Sequence, residues 1–368
     1  MERRQLLYLM GGVTVGTLGL GGVLLQRNRR RTRRTAESLG CLDVVEDPPD
    51  AVYVPSHADG MQMVGVSEGD EVDVMLAYTY PHPFHVVTGR RTEYVESSGT
   101  VHLMAVAWSK ETRDVLPVES GPTFRVESTA EDVERGVWPM MSQQMGYHYG
   151  DNFEVGEGEV HVEVDLPAPS VDTTGDYEGM ETGVHEFDFE FSVESLEDID
   201  CVDVPEAGDR GALTPDYLSG GDGHDGSAEE GDGHGGSSDD GSHGHPVSRA
   251  PSVESLPGEV ALDTREGDLR LVVGVDEDGL YVSPRTRYNG YVLPMSGYRL
   301  SVTRDGEEVY GGSLSTSLEP TANLVYRADV DVQEGDEVEV VMDTPPQFSR
   351  HLGYERSFLE EVSVEFSV

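Results

Sequence analysis

Lysine is almost absent from this sequence: Lys110 is the only one in 368 residues. Basic charge is scarce overall, with 25 Lys+Arg against 71 Asp+Glu and a net charge of −46. Eight of the 25 bases, all Arg, fall between Arg3 and Arg34, so from position 35 onward 17 bases face 70 acids, a net charge of −53. Such a body repels phosphate backbones and anionic lipid, which excludes a nucleic-acid partner. Two cysteines, Cys41 and Cys201, are too few for a disulfide scaffold or a zinc–sulfur centre. Walker, GxGxxG, HExxH and GxSxG patterns are missing, as is any Asn-x-Ser/Thr acceptor. No nucleophile–base pair or paired carboxylates stand out, so the chain reads as non-enzymatic. Acid scattered through apolar stretches, with so little lysine, points to a protein adapted to molar salt, where a Debye length of about 3 Å screens self-repulsion.

The one long uncharged run is Leu6–Leu25, 20 residues, long enough to cross a bilayer as a helix. Arg3-Arg4-Gln5-Leu6-Leu7 before it resembles a twin-arginine export signal, and a retained anchor is the other reading. The two orientation signals conflict. Arg27, Arg29, Arg30, Arg31, Arg33 and Arg34 follow the span and favour a cytoplasmic flank, whereas the paired arginines favour export. Ser38-Leu39-Gly40-Cys41 has the look of a degraded lipobox, which makes Cys41 a candidate for acylation. The expectation is a body outside the cytoplasm, held at the cell membrane by this segment.

From Pro48 onward, period-two alternation dominates, as in Val160–Asp165, Phe187–Phe191 and Val338–Val340, punctuated by Gly/Asp/Glu turns. No convincing amphipathic helix exceeds two turns. The fold class expected is all-β: two immunoglobulin-like β-sandwiches joined by a disordered His/Gly/Asp-rich linker, plus the N-terminal hydrophobic helix. The boundaries are 1–45 for signal and basic flank, 46–200 for the first sandwich, 201–252 for the linker and 253–368 for the second. At a constant offset of 177, Tyr149 falls on Tyr326, Gly158 on Gly335, Pro169 on Pro346 and Tyr177-Glu178 on Tyr354-Glu355; both segments end in Glu-Phe-Ser-Val. The two sandwiches therefore read as an internal duplication. In the linker, His224, His234, His243 and His245 are spaced imidazoles that can gather divalent metal weakly, or simply punctuate a solvated spacer.

Trp138–Asn152 is unlike ordinary strand or loop: Met140, Met141 and Met145 lie within eight residues of His148, itself flanked by tyrosines. Thioether with imidazole favours copper; the alternative is that the methionines fill core gaps. The order Met-Met, His148-Tyr149-Gly150-Asp151-Asn152, a Gly turn, a Val-alternating strand, the bend Leu166-Pro167-Ala168-Pro169 and Glu181-Thr182-Gly183-Val184 resembles the periplasmic Fe2+-transport protein family over residues 46–193. The second segment, with Pro345-Pro346, Arg350-His351 and Tyr354-Glu355, resembles the extra domain of its haloarchaeal members. The resemblance implies an immunoglobulin-like sandwich that binds copper and supports ferrous iron uptake beside a membrane permease, so copper or iron(II) is the expected ion. A homodimer is a further possible partnership.

The resemblance further implies copper held by a Met and a His from this stretch, a His and a carboxylate from the first strand, and a His near the Glu-Thr-Gly turn. His148 carries over directly, and the Met as Met140 or Met141. Glu71–Met75 and Gly175–Tyr177 lack the family's histidines; His82, His85, His102 and Asp73 are the stand-ins. His148 is expected just before a Gly150-Asp151-Asn152 turn. Val325 stands where His148 maps in the second segment, so no matching site is expected there. The competing class is a cell-surface interaction module whose metal binding is incidental.

The charge pattern makes a prediction independent of any site. In dilute buffer, repulsion within the acidic body acts over tens of ångströms and opposes the compact state. The melting midpoint should rise from low to multimolar salt; a midpoint that does not move counts against halophilic adaptation.

Overall fold

A computed structural model describes residues 44–119, 121–214 and 246–368. The leader, the Leu6–Leu25 run, Cys41 and the four linker histidines lie outside the described residues. No helix among the described residues is long and apolar enough to cross a membrane.

The described chain is all-β, with only three short 3-10 turns besides strands. The largest sheet has eight strands in the spatial order Gln62–Glu68, Val72–Thr79, Val101–Ser109, Gly146–Phe153, Trp138–Ser142, Ser349–Arg350, Phe84–Thr88 and Arg91–Val95. A four-stranded sheet, Gly183–Phe191, Gly158–Leu166, Thr123–Glu127 and Asp132–Gly136, packs on it. Contact between these layers is aromatic: Tyr78 stacks on Phe189 at 5.5 Å and Phe124 on Phe153 at 6.1 Å. The alternation seen in the sequence does the sorting. Val160, Val162, Val164 and Leu166 are buried, while Glu159, His161, Glu163 and Asp165 face outward or sit at intermediate depth. The second half repeats the scheme with a six-stranded and a four-stranded sheet, joined by Tyr298 against Tyr326 at 4.7 Å.

Matching tyrosines in the two halves make matching bonds. Tyr149 donates its hydroxyl to the Leu116 carbonyl and accepts from Val118 N–H, at 2.7 and 2.6 Å. Tyr326 donates to the Leu293 carbonyl and accepts from Ser296 N–H, at 3.2 and 3.0 Å. Tyr177 donates to Asp114 and Tyr354 to Asn289. Each of these buried phenols finds a partner that ties a loop to the core in the same way in both halves.

The halves also interlock. Asp172–Thr173 pairs parallel with Ser315–Glu319, joining the six-stranded sheet of the second half. In exchange, Ser349–Arg350 enters the eight-stranded sheet of the first, parallel to Trp138–Ser142 and antiparallel to Phe84–Thr88. Arg350 is fully buried and, among the described residues, has no carboxylate partner. Its guanidinium donates to the carbonyls of Ser357 and Pro346 and lies near the Phe348 and Phe358 rings. Burial pulls its pKa down to about 9, so it remains a cation at neutral pH.

Two boundaries differ from the sequence expectation. Residues 201–214, assigned to the linker, are folded onto the first half: Cys201–Asp203 pairs with His57–Asp59, and Leu213 N–H donates to Gln143 Oε1 at 2.7 Å. At the other end, Ser248 is buried and accepts from Tyr147 N–H at 2.7 Å. These ends carry apolar residues such as Val204 and Leu213 that find cover. Cys201 is disulfide-bonded.

Candidate metal centre

The expected turn at Gly150-Asp151-Asn152 does not exist. Gly146–Phe153 is one unbroken strand, because both of its edges are paired: residues 149–153 with Val101–Ala105 and residues 146–150 with Trp138–Ser142. Pairing parity then sorts the side chains. His148 lies opposite Met140, and Asn152 opposite His102, all on one face. Met141, one residue on, faces the other way and is buried in the sandwich core. Of the two methionines the sequence left open, Met140 is the one at this face.

Four imidazoles meet there. His102 and His148 come from the interior strands, and His82 from the segment after Val72–Thr79. His351 comes from the second half, immediately after the inserted strand, where its N–H donates to the Met141 carbonyl at 3.1 Å. One nitrogen from each of His82, His102 and His351 lies within 4.8 Å of the others. His82 Nε2 is 3.1 Å from His351 Nδ1, and His148 Nε2 is 3.2 Å from His351 Nε2. His82, His148 and His351 line a cavity of about 830 Å³ with Met104, Met145, Asp59 and Met61.

Hydrogen bonds fix which nitrogens face inward. His148 Nδ1 sits 3.0 Å from the Gly146 carbonyl, and His82 Nδ1 sits 3.2 Å from the Tyr80 carbonyl. A carbonyl only accepts, so both Nδ1 atoms carry the proton and both Nε2 atoms are lone pairs. His102 Nδ1 is 3.0 Å from Asn152 Oδ1, whose amide nitrogen donates to the His82 carbonyl, so His102 also presents a bare Nε2. That atom is buried with no hydrogen-bond partner. His351 holds its two nitrogens against two of these lone pairs, yet a neutral imidazole owns one N–H. The second proton is disfavoured: burial, followed by the neighbouring His82, His148 and His102, drives the His351 pKa well below its ordinary value. The cluster is thus short of protons, with lone pairs converging. A cation relieves that deficit, and outer hydrogen bonds of this kind are what orient metal-binding imidazoles.

Space for an ion is kept by Gly150. A Cβ there would lie 2.8 Å from the Leu103 carbonyl oxygen, 2.9 Å from His102 Nε2 and 3.4 Å from the Met140 sulfur, so the absent side chain leaves a dimple bordered by two donor atoms. The donor chemistry, imidazole with thioether, fits copper.

Other candidates from the sequence lie elsewhere. Asp73 pairs with Trp108 at the far end of its strand, whereas Thr79 is the residue opposite His102. Six residue steps along the strand separate the two ends, about 20 Å. His85 lies opposite Arg350 with its ring 5.3 Å from Tyr94, outside the converging group. In the second half, Val325 is buried on the strand Asn323–Ala328 where His148 has its counterpart. His351 was not a sequence candidate for the site, although one signal existed: it is the only histidine after the linker. A neighbouring group, His57, Asp59 and Cys201, has metal-like proximity, but the disulfide-bonded sulfur is no thiolate. Asp59 is held by His57 Nε2 at 3.2 Å and by the Tyr80 hydroxyl. Burial pushes its pKa up, but these bonds and the nearby His57 and His82 outweigh that and keep it below the usual value.

Acid should destabilise the metal-free protein through this cluster. Burial, the largest cause, depresses the folded pKa of His82, His102 and His351, while unfolded histidine titrates near about 6.5. Stability is therefore complete above that value and falls as pH drops below it, by up to about 1.4 kcal/mol per pH unit for each histidine. Melts of metal-free protein between pH 7 and 5 should show this loss, and a His102→Gln/His351→Gln variant should show a shallower one.

Residues 254–367 match a family model described as a domain of unknown function (DUF7350). No curated protein matches the chain. Among solved structures, a copper-bound variant of FetP from uropathogenic Escherichia coli strain F11 aligns with 19% identity and a TM-score of 0.25, over 36% of this chain and 97% of that one. FetP of the same strain as isolated, expressed recombinantly in the E. coli periplasm, aligns with 19% identity and a TM-score of 0.24, over 37% and 95%.

Proposed function

We propose that this chain is an extracytoplasmic, membrane-anchored protein that binds one copper ion in metal handling of the iron- or copper-uptake type. The ion is held by His82, His102, His148 and His351 with Met140. The observation that carries the reading is the convergence of inward-facing imidazole nitrogens, with His102 Nε2 buried and unpaired beside the Gly150 dimple. The export-like Arg3-Arg4 leader with its apolar run supports the location. So does disulfide-bonded Cys201, since such bonds persist in oxidising compartments.

Calorimetric titration of the metal-free full chain with copper should give one tight equivalent. His102→Ala and His351→Ala should weaken it by more than the roughly 10–100-fold that an outer-sphere partner contributes. Gly150→Ala should do so without removing any donor. His85→Ala and Asp73→Ala should leave it unchanged. Absence of the tight phase in the wild type, or equal loss in the last two variants, overturns the reading. Protease added to intact cells should digest the acidic body; full protection would place it in the cytoplasm.

A further inference from the structure

Every donor that faces the centre is uncharged. Among the described residues, the group of mutually close ligand atoms at His82, His102 and His351 contains no carboxylate oxygen. Asp59 and Glu96 line the same cavity, but neither belongs to that group, and the Asp59 carboxylate is engaged by His57 and Tyr80. Sulfur is more plentiful. The Met140 thioether borders the Gly150 dimple. Met104, two residues after His102 on the same strand and hence on the same face, is buried and lines the cavity. The residue before His351 is Arg350, a buried cation with no carboxylate among the described residues neutralising it.

Neutral donors leave the ion's charge uncompensated where His102, His148, Met140 and Met104 are buried, and the cost of burying charge grows as its square. A divalent ion is therefore penalised about four times as heavily as a monovalent one in the same surroundings. Soft thioether favours the monovalent ion independently, through bonding rather than through charge.

We propose that the centre holds copper as Cu(I) in preference to Cu(II), with Met140 and Met104 as the sulfur donors that set the preference. This rests on the copper reading above. The test is chelator competition on the full chain, with Cu(I) under anaerobic reducing conditions and with Cu(II) in air. Cu(I) should bind at least ~1,000-fold more tightly, equivalent to raising the potential of the bound couple by about 180 mV over the free ion. Met104→Leu and Met140→Leu conserve volume and should fold normally. Each should weaken Cu(I) by on the order of tenfold or more while leaving Cu(II) nearly unchanged, and Met104→Glu should invert the preference by supplying an anionic oxygen. Cu(II) bound as tightly as Cu(I) by the wild type overturns the inference and leaves the copper reading standing. Binding of neither ion overturns both. A Cu(I) preference indifferent to both leucine variants removes the sulfur donors from the account.

Discussion

The arrangement depends on two residues, Ser349 and Arg350, taking an interior place in a sheet that otherwise belongs to the first half of the chain. The hairpin Phe84–Val95 joins the rest of that sheet only through them. Without the insertion, Trp138–Ser142 and Phe84–Thr88 would each present an unpaired edge, with backbone groups left to find other partners. The same insertion buries Arg350 and delivers His351 into the cavity. The buried guanidinium is a costly choice of residue, and what it secures is two carbonyls, of Ser357 and Pro346, that a smaller side chain would leave without these donors.

Around this seam, the electrostatics run in two layers. The exterior is strongly acidic and draws cations of every kind toward the surface. The cavity itself is lined largely by uncharged donors, so selection there comes from donor softness and the fixed direction of lone pairs rather than from net charge. Attraction and discrimination are thus assigned to different parts of the molecule. Salt screens the first far more than the second.

The sequence made the strands legible because period-two alternation, as at Val160–Leu166, directly encodes which side faces inward. It made His148 and the Met140–Met141 pair conspicuous, but the choice between the methionines needed the pairing register, which composition does not contain. Asp73 looked suitable only while strand length was ignored. The Gly150-Asp151-Asn152 stretch has turn composition, yet the glycine sits in a strand where a Cβ would press on the Leu103 carbonyl oxygen and on His102 Nε2. His351 was hidden for a deeper reason. Its place is set by an exchange of strands between halves, a long-range event that no local pattern records, and the strand carrying it is only two residues long.

His82 and His351 are 269 positions apart in sequence and 3.1 Å apart in space. Ribosomes make the chain from one end, so three of the four imidazoles are synthesised long before the fourth. A nascent or truncated polypeptide has an incomplete centre however well its first half folds, and loop closure over such a span is slow. On the proposed copper reading, metal uptake is accordingly a late event in the life of the molecule, and a loaded centre would certify that synthesis and docking have both finished.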